Sequence, residues 1–99
     1  MFYYKIHESH AGYLLAACDK SICGEKLKGK ETEFFVDPRF YKDKTATEAQ
    51  MRKIFRIPSS ANLVGKDIVQ LAIDMGLVDK ENVIKIQGIP HAQMIVASS

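Results

Sequence analysis

Apolar and polar positions change period several times along this chain. Phe2 to His7 is aromatic-rich, Tyr13 to Cys18 is apolar, and the polar segment Glu8-Ser9-His10-Ala11-Gly12 lies between them. Two such runs around a turn predict a β-hairpin, with Gly12 able to supply any positive φ the turn needs. Asp19 to Lys30 offers Asp19 as an N-cap and glycines at 24 and 29, the pattern of a short helical turn followed by a loop. Glu31 to Val36 reads as a third strand. Asp37-Pro38 then starts a turn or the first turn of a short helix, where proline's fixed φ fits.

The middle of the chain switches to helical spacing. Thr45-Ala46-Thr47-Glu48 matches a capping box, and Ala46, Met51, Ile54 and Phe55 share a broad apolar side until Pro58, so a helix is expected to end near Arg56. Ile68, Leu71, Ala72 and Met75 fall at i, i+3, i+4 and i+7, which predicts a second helix from Lys66 to Met75 closed by Gly76. Asn82 to Ile86 and His91 to Ala97 read as the last strands, joined through Gln87-Gly88-Ile89-Pro90. Strands at both ends with helices between predict an α+β fold. The expected form is one small domain over residues 1–99, a mixed or antiparallel sheet covered by about two main helices. A winged-helix arrangement is the competitor, and the leading hairpin places it second.

Composition changes this picture little. Ninety-nine residues with 46% apolar content suit one modest core. The apolar runs are far shorter than a bilayer span, and Lys5, His7 and Glu8 interrupt the amino terminus where a secretory core needs apolar residues. A cytoplasmic protein with no membrane partner and with reduced Cys18 and Cys23 is expected. Charge is more informative. The chain carries +2 overall, but residues 39 to 56 hold six cations against two acids, a net of +4, while residues 57 to 99 hold three against four, a net of −1.

Several blocks resemble one known family: Tyr4-Lys5-Ile6-His7, Cys18-Asp19, Arg39-Phe40-Tyr41, Ala61-Asn62-Leu63-Val64-Gly65, Ala72 with Gly76-Leu77-Val78, Asn82-Val83-Ile84, and Pro90-His91-Ala92-Gln93. They resemble the archaeal domain of unknown function number 424, and they cover nearly the whole chain. The Asn-Leu-Val-Gly and Pro-His-Ala-Gln blocks are the more specific. The resemblance implies a small, archaeal, cytosolic, single-domain protein and no established reaction. Cys23 stands where the resemblance implies an aliphatic residue.

Four candidate chemistries follow from the residues. His7, His10, Cys18 and Cys23 supply nitrogen and sulfur that zinc can use, but their spacing is not that of a zinc knuckle, so no metal and no cofactor are assigned. Gly65-Lys66 at a helix start favours an anion, yet Asp67 opposes one and no glycine-rich run precedes the lysine, which leaves capping as the reading. Asn62, His91 and Gln93 supply an imidazole and two amides able to read a ligand edge, with His91 and Gln93 on one face if they share a strand. Arg39, Lys42, Lys44, Arg52, Lys53 and Arg56 supply phosphate attraction, with Tyr41 as a stacking ring.

These combine into three expectations. The first is a non-enzymatic module that binds RNA or an RNA-protein, translation-related assembly through the basic segment and the Asn62, His91, Gln93 edge. The second is a small metabolite-binding protein or enzyme using His91 and Asn62. The third is a protein-protein adaptor or homodimer pairing through the terminal strand, Met94 to Val96.

Overall fold

The computed structural model describes residues 1–10 and 12–95. Its frame is a six-stranded mixed sheet. The strands are β1 (Phe2–Ser9), β2 (Gly12–Asp19), β5 (Lys44–Ala46), β6 (Ser60–Val64), β7 (Ile84–Ile86) and β8 (Ile89–Ile95). They lie in the order β5-β1-β2-β6-β8-β7, and a separate hairpin joins β3 (Lys26–Lys28) to β4 (Glu33–Phe35). Among the described residues only β2 and β6 pair in parallel, with Leu14 beside Ser60 and Cys18 beside Val64. The expected α+β fold with a mixed sheet is therefore what the chain forms, and the six-stranded sheet excludes the winged helix.

Side-chain alternation divides the sheet into two covered faces. On the first face Phe2, Leu15, Ala17, Ala61, Leu63, Ala92 and Met94 pack under α2 (Glu48–Ile54) and α3 (Lys66–Asp74), whose Met51, Ile68, Val69, Leu71 and Ala72 complete that core. On the second face Ala16, Cys18, Val64 and Ile86 pack under Leu27 and Val36 of the β3–β4 segment and under Tyr41 of α1 (Pro38–Tyr41). Among the described residues no helix is long and apolar enough to cross a membrane.

Several boundaries differ from expectation for local reasons. The capping box is two residues later than Thr45: Thr47 is the N-cap, its hydroxyl accepting from the Gln50 amide while Gln50 Oε1 accepts from the Thr47 amide. Thr45 and Ala46 instead pair with Tyr3 and Phe2 as the edge strand β5. The last hairpin turns on Gln87 and Gly88 alone, with φ of 54° and 77°, a two-residue turn that fits the strand twist. β8 thus starts at Ile89 and includes Pro90. Val96 and Ala97 of the expected terminal strand, and Ala11 of the expected first turn, lie outside the described residues.

Candidate functional site

The second face is covered only in part, and the candidate residues converge at the edge of that cover. Asn62 on β6 stands directly opposite Gln93 on β8, and His91 stands opposite Val64, so alternation places all three side chains on the second face. Asn62 and His91 touch: His91 Nε2 lies 3.0 Å from Asn62 Oδ1. Tyr41 donates its hydroxyl to the same oxygen at 2.8 Å. An amide oxygen is an acceptor only, so His91 must carry its proton on Nε2, which leaves Nδ1 with a lone pair.

Burial stiffens this arrangement. Tyr41 is 2% exposed, and burial pushes its hydroxyl pKa up, keeping it a donor. Burial likewise holds the His91 pKa below its ordinary value, so the ring is neutral at pH 7. Phe34 packs against the imidazole with ring centroids 5.2 Å apart. Beyond the cluster the face opens into a groove of about 430 Å³ lined by Asn82, Ile84, His91, Ala92, Gln93 and Ile95. Ile84 and Ile95 are 56% and 81% exposed. Such a site can bind donors and acceptors in a partly apolar setting. His91 Nδ1 can also take a proton, but no serine, cysteine or carboxylate side chain bonds to His91 among the described residues.

The basic segment does not form one patch. Arg39 and Lys42 belong to α1 and its C-cap on the second face; Arg52, Lys53 and Arg56 belong to α2 and its exit on the first; Lys44 lies on the edge strand between them. Asp37 holds Arg39 through Nε at 3.3 Å and Nη2 at 3.2 Å, which offsets part of its charge. Lys42 sits over the Tyr3 ring at 5.1 Å. Tyr41 is not the stacking ring expected of it, because its buried ring offers no face to a base.

Two lysines outside the expected set rim the second face. Lys20 joins Lys42 over Tyr3 at 5.5 Å, and Lys5 donates to the Arg39 carbonyl at 3.1 Å. The alternation Tyr3, Lys5, His7 along β1 carries the signal for Lys5. The other motifs have structural roles. His7 stacks on Phe40 at 4.5 Å and bonds its carbonyl at 2.9 Å, Cys18 is buried, and no group of three or more metal-ligating side chains occurs among the described residues. The α3 N-terminus is already occupied by an anion of the chain itself, the Asp19 carboxylate, which accepts from the Asp67 and Ile68 amides at 2.9 and 2.8 Å. This corrects the reading of Asp19 as the cap of its own segment, where its side chain makes no capping bond.

Fold and cluster together mark a small mixed-sheet α+β protein with one face half open. Residues 7–96 match the family described as "Protein of unknown function (DUF424)", and the chain belongs to that family. Its fold is similar to the crystal structure of an uncharacterized conserved protein from Methanopyrus kandleri, with a TM-score of 0.83 and 23% identity over 99% of this chain and 95% of that one. No curated protein matches the sequence.

Proposed function

We propose that this protein is a cytoplasmic, non-enzymatic binding module that holds single-stranded RNA, free or within an RNA-protein assembly, on the open half of its second face. The observation that carries the reading is the convergence of Asn62, His91 and Gln93 beside an exposed apolar groove. Bases present flat apolar faces and hydrogen-bonding edges, so a surface combining isoleucines with the held Asn62 amide, the exposed Gln93 amide and an imidazole suits them. The cations Lys5, Lys20, Arg39 and Lys42 lie on the β1 side of this face. Asn62 is two strands from β1, about 10 Å, so a strand of RNA reading its bases near Asn62 runs its phosphates toward that rim.

Binding of mixed-sequence single-stranded RNA, followed by fluorescence anisotropy at low salt, tests this. Alanine at Lys5, Lys20 and Lys42 is expected to weaken binding and flatten its salt dependence, and alanine at Arg52, Lys53 and Arg56 to change both less. Absence of binding at low salt contradicts the reading, as does equal loss from both triple variants.

The adaptor reading keeps one specific support. The β7 pairing with β8 ends at His91, leaving the outer edge of Ala92 to Ile95 unpaired among the described residues, and Ile95 is exposed. Protein partners that survive ribonuclease treatment of a native-host lysate would favour it; partners lost on that treatment would favour RNA.

A further inference from the structure

We propose that a groove on the first face, between α3 and the β7–β8 hairpin, binds a small organic phosphate, with its apolar body on the groove floor and its phosphate among Lys66, Lys80 and Lys85. The groove lies on the opposite face of the sheet from the RNA surface, so neither reading rests on the other.

The fold builds this groove from three segments. Lys66, Val69, Gln70 and Ile73 fall at i, i+3, i+4 and i+7 and so share one flank of α3. Pro90 stands directly opposite Lys85 in the hairpin, and alternation turns both toward the first face, away from Ile84 and His91. Lys80 and Val83 come from the segment that leads into β7. The Gly65 amide donates to the Pro90 carbonyl at 2.9 Å, which fixes the start of α3 against β8. Val69 is buried at the bottom; Ile73, Val83 and Pro90 are half-buried walls, and the three lysines are exposed at the rim.

Charge is sorted across α3. Residues 57 to 99 carry a net of −1, yet all three of their cations line this groove and none of their four acids does. Asp67 and Asp74 instead line a separate groove on the neighbouring flank of α3, together with Glu48. Gln70, at the border, donates to Asp74 at 2.9 Å and so anchors that carboxylate on the acidic flank. Among the described residues none of the three lysines makes an ion pair.

These features select the ligand. A lysine ammonium is a point charge without a planar fork, so three of them suit the tetrahedral oxygens and double charge of a phosphate monoester; a carboxylate pairs side-on with arginine, and no arginine lines the groove. Val69, Ile73, Val83 and Pro90 have no polar side-chain atom, so the rest of the ligand is apolar. The groove holds about 290 Å³, near the lower limit of roughly 300 Å³ for small-molecule sites, which favours a compact molecule over a polymer.

The test titrates phenyl phosphate, inorganic phosphate and phenol separately into isotope-labelled protein, followed by NMR. Saturable shifts of the Val69, Ile73 and Val83 methyl groups are expected with phenyl phosphate, at an affinity about tenfold above that of either fragment. The triple variant K66Q/K80Q/K85Q changes only exposed side chains, so it should keep its fold by circular dichroism and bind phenyl phosphate about tenfold more weakly. Equal affinity for inorganic phosphate overturns the proposal even if the variant fails to fold, as does the absence of shifts at these methyl groups. Unchanged binding by a folded triple variant also overturns it. Shifts there from mixed-sequence RNA or phosphatidic acid vesicles, with none from phenyl phosphate, overturn it in favour of a polymer or a lipid surface.

Discussion

The Asp19 carboxylate occupies the space that a side chain on Gly65 would need: a Cβ built there would lie 2.7 Å from Asp19 Oδ2. Gly65 also has φ of 128°, in the region that disfavours side chains, and its open flank lets β2 reach across to cap α3. Gly65→Ala should therefore destabilise the fold by on the order of 3 kcal/mol in a urea melt, from strain and overlap together. Asp19→Ala, which removes the cap without overlap, should cost about 1 to 2 kcal/mol. The double variant should cost less than the sum, by about 1 kcal/mol, since the carboxylate's share of the overlap is removed while the Cβ of residue 19, 2.8 Å from the added Cβ, remains. Strict additivity would contradict the contact.

Tyr41→Phe removes one donor to Asn62 and keeps the ring in the core. A loss of about 1 kcal/mol is expected by chemical denaturation, the net worth of an ordinary hydrogen bond. Asn62→Ala should cost more, because it leaves both the Tyr41 hydroxyl and the His91 N–H without their acceptor. Equal losses would show that the two donors find other partners.

The lowered His91 pKa makes stability depend on pH with a definite sign. Between its folded value and about 6.5 in the unfolded chain, the unfolded state binds more protons than the folded state. Stability therefore falls as pH drops below about 6.5 and the loss stops once the folded ring protonates, with a slope of at most about 1.4 kcal/mol per pH unit from this group. Comparing unfolding free energies of wild type and His91→Gln across that window isolates the contribution. The variant should show the shallower acid slope, and identical slopes would place the titration elsewhere.

Burial, reinforced by the neighbouring Cys23, pushes the Cys18 thiol pKa well up, and Cys18 is fully buried while Cys23 is partly exposed. With an alkylating reagent at neutral pH, Cys23 should label first and Cys18 only on unfolding, read by peptide mass spectrometry. Early labelling of Cys18 would contradict the packing of the second core.

Legibility of this structure in its sequence follows sequence distance. The first hairpin, α3 and its Gly76 stop are readable because periodicity and turn residues act within a few positions. His91 and Gln93 pair on one face for the same reason. That Asn62 joins them depends on β6 lying beside β8, a contact across 29 residues that no local pattern encodes. Asp19 as the cap of α3 is hidden in the same way, by 48 residues. Thr45 and Thr47 offer two capping registers, and β1 makes the choice by drawing Thr45 into the edge strand. The basic stretch misleads because charge counted along the chain ignores the sheet edge it passes around, and Tyr41 misleads because an aromatic beside cations looks exposed until the second core is known.

An NMR titration of isotope-labelled protein with mixed-sequence single-stranded RNA at low salt locates the binding surface residue by residue. The reporters are the side-chain amides of Asn62 and Gln93, the His91 ring and the methyl groups of Leu14, Ile84 and Ile95. Saturable shifts concentrated on those groups, with small changes along α2, are the predicted result. Shifts confined to Arg52, Lys53 and Arg56, or none at all, would contradict the placement of the binding surface on the open half of the second face.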